Sequence, residues 1–449
     1  MKPAVQPYQL IQLAYQSDPI PRLSRLRQLG HPVLLDSAAG TARFARYSVL
    51  AAGPRMIISP EAGESGLQTL GRLRQALATL PAASWPEGSA RLPFGAGALG
   101  FLSYDFGRRL ESLPEFALAD VQLPDLQMGI YAWSLVSDHI DQCCWLVCHP
   151  SLTEAERQRL LQILDSPAPR AGDFALRGSF KAEQSREDYQ ASFERVQRYI
   201  SAGDCYQINL AQRLRADCSG DPLNAYARLR RACPTPFSAY IEDPAFSLLC
   251  LSPERFLSVR EQQVETRPIK GTRARGATPE QDKALSDDLQ SCLKDRAENL
   301  MIVDLLRNDL SRSCALGSVR VPELFKLETY PNVHHLVSSV TGTLAEGQDA
   351  IALLAAAFPG GSITGAPKIR AMQIIEELEP VRRSLYCGSI GYIGCEGQMD
   401  MNIAIRSLVH QHDTLYCWGG GGIVADSESE SEYQESLTKV RVLMEALRA

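Results

Sequence analysis

Apolar positions along the chain follow two periods. Short apolar or alternating runs predict strands over residues 32–37, 48–52 and 206–213, and a hairpin from 128–136 and 143–148. A longer run over 245–259 reads as a buried strand broken by Ser252-Pro253-Glu254. Runs over 387–395, 399–411 and 414–418, parted by Glu396-Gly397 and His412-Asp413, read as a three-strand meander. Spacings of three and four predict helices over 67–80, 153–164, 294–309 and 369–378. Another starts at Ser185-Arg186-Glu187-Asp188, carries Tyr189, Phe193, Val196 and Ile200 on one face, and ends at Gly203. After Asp426-Ser427 a last helix has Tyr433, Leu437, Val440, Met444 and Leu447 as its expected buried stripe. Strands and helices mix without βαβ repeats, which predicts an α+β fold of layered antiparallel β-sheets with peripheral helices. The stretch Ser-Pro-Ala-Pro-Arg-Ala-Gly (166–172) reads as a linker between an N-terminal region, 1–175, and a second region, 176–449.

Composition narrows the class. A length of 449 residues allows two or three domains, or one large intertwined one. With 45% hydrophobic and 22% charged residues the chain is an ordinary globular protein, and a net charge of −6 argues against nucleic acid as a partner. The chain opens on no apolar leader and holds no run of about 18 apolar residues, so no membrane span is expected. Twelve scattered cysteines fit reduced thiols in a cytoplasmic protein. Cys143-Cys144 with Cys148-His149 has no zinc spacing and reads as a buried strand. Gly95-Ala-Gly97-Ala-Leu-Gly100 has the letters of a dinucleotide fingerprint. Proline precedes it and a strand-like run follows, so close backbone approach in a strand is the better reading.

The chemistry concentrates in 266–272, Thr-Arg-Pro-Ile-Lys-Gly-Thr. Pro268 fixes φ and Gly271 admits close backbone approach. Lys270 between them has three readings: an exposed strand charge, an anion anchor, or a nucleophile. The last needs a neutral amine, and so a pKa lowered by burial or a nearby cation. Two helices carry paired acids. Asp295, Glu298, Ile302, Leu305 and Asp309 share one stripe, and Glu432, Glu435 and Lys439 share a face of the last helix. Oxygen donors on separate helices suit Mg²⁺ with retained waters; a salt-bridged solvated face is the competing reading. Glycines 419–422 end the meander, either as a flexible turn or as backbone N–H groups for a carboxylate. In Gly-Gly-Ser-Ile-Thr-Gly-Ala-Pro-Lys (360–368), Pro367 suits the first turn of a helix whose N-terminus favours anions. His334 and His335 are adjacent on a strand, so at most one enters a given site.

In this order the stretches resemble the chorismate-utilising enzymes, the family of anthranilate, aminodeoxychorismate, isochorismate and salicylate synthases. The resemblance rests on Gly-Asp-Cys-Tyr-Gln-Ile-Asn-Leu-Ala-Gln-Arg (203–213), Leu-Ser-Pro-Glu-Arg-Phe (251–256), Arg-Pro-Ile-Lys-Gly-Thr (267–272), the acidic helix, His-Leu-Val-Ser (335–338), 360–368, Ile-Arg-Ser (405–407), the glycines and Glu-Tyr-Gln-Glu (432–435). It implies an anthranilate-synthase component I-like fold. Isochorismate-type enzymes carry a water-activating lysine where Gln207 stands, and anthranilate synthases carry alanine where Lys270 stands. Lysine at that position marks the branch that aminates chorismate at carbon 4, with the anthranilate-forming reaction as the alternative. The resemblance then makes Lys270 the nucleophile at ring carbon 2 and Glu254 the general acid for the departing carbon 4 hydroxyl. Ammonia at carbon 4 expels the lysine and the pyruvyl ether stays. Glu298 and Glu435 would hold Mg²⁺, with Asp295 and Glu432 nearby. Arg406, Lys439, Gly271, Thr272, Gly420, Gly421 and Gly422 would bind the substrate's two carboxylates. His335, as a catalytic group, and Tyr386 match further active-site positions. The chain has no glutaminase signature, so a partner glutamine amidotransferase subunit is implied. Relatives hold tryptophan in a pocket whose positions here are Ser37, Phe44, Ala45, Arg46, Tyr47, Pro236, Phe237 and Ser238. Asp36 precedes Ser37 where tryptophan-inhibited anthranilate synthases have Glu, a departure from the feedback pattern.

Overall fold

Each apolar run becomes a strand in one of two antiparallel sheets. The structure is a computed structural model that describes residues 5–38, 44–87, 89, 92–169, 172–330 and 333–448. The larger sheet runs Gln9–Leu13, Cys143–Cys148, Trp133–Asp138, Tyr47–Ala51, Val33–Asp36, Phe237–Asp243, Phe246–Ser252, Ser407–Gln411, Thr414–Ile423, Gln207–Gly220, Lys181–Ala182. The smaller runs Ile269–Ala274, Val333–Thr343, Gln263–Thr266, Arg255–Arg260, Met399–Asn402, Ser389–Gly394, Gly97–Leu102, Leu126–Tyr131, Met56–Ile58. With eleven α-helices among the described residues this is the expected α+β class. Gly97–Leu102, Trp133–Asp138, Phe246–Ser252 and Ser389–Gly394 are buried at every position, their serines and Asp138 included. Both sheets take strands from either side of 166–172: Val33–Asp36 pairs with Phe237–Asp243, and Gly97–Leu102 with Ser389–Gly394.

Two predicted runs are divided, and one predicted turn is strand. Residues 128–136 hold the end of Leu126–Tyr131 and the start of Trp133–Asp138, which lie in different sheets; only the second pairs with Cys143–Cys148. Residues 399–411 split likewise into Met399–Asn402 and Ser407–Gln411. Glycines 419–422 are not a turn but the interior of Thr414–Ile423, opposite Gln212, Ala211, Leu210 and Asn209. The break at Ser252-Pro253-Glu254 is as expected, and it too is a passage between the sheets. Two of these passages are tied together: the Ser252 hydroxyl donates to the Ile403 carbonyl at 2.6 Å, and the Ile403 N–H donates to the Glu254 carbonyl at 3.0 Å.

The helices form where spacing and caps agree. Ser65, Thr153 and Ser185 each close a capping box at the start of Gly66–Leu77, Glu154–Asp165 and Arg186–Ser201. The last helix, Ser429–Arg448, is turned from its predicted phase: Glu432, Ser436, Val440, Leu443 and Leu447 are its buried residues. Gly419 explains this, since a side chain there would run into the Ser436 carbonyl oxygen. The helix therefore lies directly on the glycine strand. All twelve cysteines are free thiols, and among the described residues no helix is long and apolar enough to cross a membrane.

Candidate active site

Lys270 sits on a bulge. Between Ile269 and Thr272 the register of Ile269–Ala274 against Val333–Thr343 shifts by one residue. Gly271 takes φ +81°, and a Cβ there would meet Leu289 Cδ1 at 2.8 Å and Asp295 Cγ at 3.0 Å. Only glycine fits both demands, and the extra residue re-aims the neighbouring lysine. Lys270 Nζ donates to the Ser362 carbonyl at 3.2 Å. Burial holds its amine below the usual lysine range; Glu298 and Glu254 oppose that shift and Lys439 reinforces it. Of the three readings of Lys270, the exposed strand charge is excluded.

Glu254 stands on the passage from Phe246–Ser252 to Arg255–Arg260 and is 5% exposed. The Ser362 hydroxyl donates to its Oε1 at 3.0 Å. Burial pushes its carboxyl up to about 7, against the pull of the Lys270 charge and the Ser362 and Ile269 hydrogen bonds. A carboxyl so placed is half protonated near neutral pH, the condition for a general acid.

The acids face one another across two helices, Leu293–Ser311 and Ser429–Arg448. Burial raises Glu298, Lys270 and Lys294 oppose this, and Asp295 and Glu432 add to it. Burial also raises Glu432, which accepts from the Ser427 hydroxyl at 2.7 Å and lies 3.8 Å from Lys294. At Glu435 burial is outweighed by the Lys439 ammonium at 2.7 Å, and the carboxyl falls below its usual range. Asp295 is paired with Arg273 at 3.1 Å. Asp309, on the predicted stripe, is instead buried against Lys368 at 2.7 Å. Lys368 is the first residue of its helix and Pro367 the N-cap, one position before the expected first turn. Among the described residues no three His, Cys, Asp or Glu side chains form a ready metal cage.

The glycine strand brings these acids close. A Cβ on Gly421 would lie 3.0 Å from Glu432 Oε2, 3.6 Å from Glu435 Oε1 and 3.7 Å from Lys439 Nζ. Lys439 Nζ also donates to the Gly420 carbonyl at 3.0 Å. Gly422 has no room for a side chain because Gln207 Nε2 lies against it. Gln207 itself is buried, with no hydrogen-bond partner on Oε1 among the described residues.

The histidines separate as the strand period requires. His335 Nδ1 is 2.9 Å from Thr272 Oγ1, while His334 turns to Asp282 and Thr329. Burial, helped by the Arg406 and His334 charges, lowers His335 to about 3, so its ring is neutral. Arg406 lies on the 403–406 passage with φ +51°, a strained conformation for a non-glycine residue. Tyr386 is buried, its ring parallel to Trp418 at 6.5 Å, and burial keeps its phenol protonated. Nothing local in the sequence marks Ser362 as a contact residue or Lys294 as a charge on the acid cluster. The first stands in a stretch already singled out, and only its loop geometry reveals its two contacts.

A separate cavity of about 440 Å³ is lined from both sheets. Ser37, Phe44, Arg46, Tyr47, Pro236, Phe237 and Ser238 line it; Ala45 is buried and does not. Arg255, next to Glu254, lies over the Phe44 ring at 4.6 Å and donates to both oxygens of Asp400 from Nε and Nη2, each at 2.9 Å. Asp36 is neutralised by Arg230 at 2.7 Å.

Residues 30–445 match the chorismate binding enzyme family. Aminodeoxychorismate synthase component 1 of Klebsiella aerogenes is 50% identical over 364 residues, covering 81% of this chain and 80% of that protein. The protein of that name from Salmonella typhimurium is 44% identical over 426 residues, 92% of each. The crystal structure of anthranilate synthase component I from Streptococcus pneumoniae superposes with a TM-score of 0.78 at 32% identity, covering 89% of this chain and 92% of that one.

Proposed function

This chain belongs to the chorismate binding enzymes, and we propose that it aminates chorismate at carbon 4 through a covalent bond to Lys270. One observation carries the reading: a desolvated lysine amine on a bulge beside a carboxyl that burial pushes up to about 7. A nucleophile and its acid need this pairing. Lys270 Nζ attacks ring carbon 2, the two ring double bonds each move one position, and the carbon 4 hydroxyl leaves as water with the proton of Glu254. Ammonia then adds at carbon 4, the double bonds return and the lysine departs, leaving 4-amino-4-deoxychorismate. An anthranilate-forming reaction is less supported, because it has no use for Lys270 and the quoted aminodeoxychorismate synthases are 50% and 44% identical to this chain, against 32% for the quoted anthranilate synthase.

The substrate's two carboxylates are assigned to Arg406, Lys439, Thr272 and the backbone of Gly271, Gly420, Gly421 and Gly422. Tyr386 supplies a phenol donor and neutral His335 fixes Thr272. Glu298 and Glu435, with Glu432 and Asp295 beside them, fit Mg²⁺: oxygen donors only, two of them raised by burial and mutual repulsion. Two carboxylates without a full cage suit an ion that keeps its waters and binds a substrate oxygen. When bound there, Mg²⁺ neutralises a substrate carboxylate and orients the ring. The chain carries no glutaminase signature, so a glutamine amidotransferase subunit supplies ammonia. The two-sheet cavity is assigned to tryptophan as a structural ligand, to be read as a rise in melting temperature when tryptophan is added.

The test is intact mass with chorismate and Mg²⁺ but no ammonia. A species heavier than the chain by chorismate less one water should appear, map to Lys270, and clear when ammonium is added. Glutamine alone should not clear it. Lys270→Ala should form no adduct. Wild-type turnover without any adduct, or Lys270→Ala making aminodeoxychorismate at the wild-type rate, would exclude covalent catalysis.

A further inference from the structure

One residue touches both partners of the covalent step. Ser362 lies in the 3₁₀ turn Gly361–Ile363 and is buried. Its carbonyl accepts from Lys270 Nζ at 3.2 Å, and its hydroxyl donates to Glu254 Oε1 at 3.0 Å. The turn is fixed from several sides. The Thr364 hydroxyl donates to the Gly360 carbonyl at 3.1 Å, and Arg383 Nη1 donates to the Ile363 carbonyl at 3.0 Å. A side chain on Gly361 would run into Leu305, and one on Gly360 would meet Ile403 Cδ1 at 2.7 Å. The two glycines thus let the turn close onto the acidic helix and onto the 403–406 passage that holds the Glu254 backbone.

We propose that Ser362 is the positioning residue of the covalent step, its hydroxyl selecting the oxygen of Glu254 that carries the proton and its carbonyl orienting the Lys270 amine. The proposal rests on the covalent reading above. A neutral amine has two N–H bonds and one lone pair. Fixing one N–H on a carbonyl removes a rotation and leaves the lone pair free for carbon 2. At Glu254, a donor on Oε1 leaves Oε2 as the oxygen that bears hydrogen. The balance is closed: the Nζ lone pair forms the bond to carbon 2, the carbon 4–oxygen bond breaks, and the Oε2 proton leaves with that oxygen as water. The carboxylate then recovers a proton from the alkylated ammonium.

The charged and titratable groups that act on Glu254 are Lys270, Lys439 and Cys387. The Ser362 hydroxyl favours the ionised carboxylate, so removing it leaves the acid protonated to higher pH.

The experiment follows adduct formation by rapid-mixing intact mass in wild type, Ser362→Ala and Ser362→Thr, with chorismate and Mg²⁺ and without ammonia, across pH 6 to 9. Ser362→Ala should slow adduct formation by about 10- to 100-fold, with KM for chorismate changed by less than about twofold. Its alkaline limb should move up by roughly half a pH unit or more. Ser362→Thr keeps the hydroxyl and should recover most of the rate and the original limb. Adduct formation by Ser362→Ala at the wild-type rate, a loss confined to KM, an unmoved limb, or a threonine variant as slow as alanine would each overturn the assignment. A wild type that forms no adduct would instead refute the covalent reading beneath it.

Discussion

Burying Glu254 costs the fold stability. Its folded pKa of about 7 lies above the ordinary carboxyl value of 4.5, so the folded chain holds the proton more tightly than the unfolded one. Below about 4.5 both states are protonated and the group costs nothing. As pH rises from there to 7 the unfolded chain releases its proton first, stability falls, and above 7 the whole cost is present. From the shift, that cost is about 3 kcal/mol. Glu254→Gln should therefore lower turnover by about 10²- to 10⁴-fold yet unfold at higher urea than wild type at pH 8, with the gap closing toward pH 5. A gap that is absent or grows toward acid pH would contradict this origin of the raised pKa. Glu298 and Glu435 differ in kind, because one is raised by burial and the other lowered by Lys439. On the proposed Mg²⁺ assignment, Glu298→Gln and Glu435→Gln should each abolish turnover. Full activity of either variant in chelator would remove the metal assignment.

At the scale of elements, the glycine strand shows how a site is assembled from packing. Gly419 and Gly421 lie on Thr414–Ile423 under the same helix. A methyl group at 419 would strike the Ser436 backbone carbonyl, which moves only if the helix moves. A methyl at 421 would meet the ends of the Glu432 and Glu435 side chains, which are flexible. Gly419→Ala should thus destabilise by about 1–3 kcal/mol, while Gly421→Ala should melt like wild type and bind Mg²⁺ more weakly. Thermal melts and Mg²⁺ titrations separate the two, and equal melting temperatures for both variants would contradict the packing argument. These glycines also mark what the sequence could not tell. Helices were legible from spacing and caps, as at Ser65, Thr153 and Ser185, because those signals are local. The opposed histidines were legible for the same reason, whereas Lys270 and the acid pair were locally only one reading among several and the family resemblance singled them out. The residues joining the sheets were not. Ala132 and 403–406 carry no proline or turn cluster, so each run looked like one strand, whereas Pro253 announced its break. Four glycines read as a turn because the close approach that needs them involves a helix that begins at Ser429.

Across the whole molecule, both sheets are interleaved, and this governs how the chain unfolds. The composition of 166–172 invites a division into two regions, yet the strands on its two sides pair in both sheets. Phe237–Asp243 would lose its Val33–Asp36 neighbour without the first region, and Ser389–Gly394 would lose Gly97–Leu102. Each exposed edge would bare unpaired backbone groups and the fully buried faces of those strands. The hydrophobic core is likewise shared: one cluster of buried residues joins Leu34, Phe101 and Leu135 to Tyr240, Leu249, Ile390 and Leu408. The cavity lined from both sheets disappears as well if either region is absent. Residues 176–449 expressed alone should therefore be insoluble or molten, although Lys270, Glu254 and both acidic helices are all present in them. The intact chain should unfold in one transition, with near- and far-ultraviolet dichroism superimposing in urea. Cleavage at an engineered protease site within 166–172 should leave two pieces that elute together on size exclusion and keep the adduct-forming activity. Two separated transitions, or an active soluble 176–449 fragment, would show that the catalytic machinery closes its own core and that the shared sheets are dispensable to it.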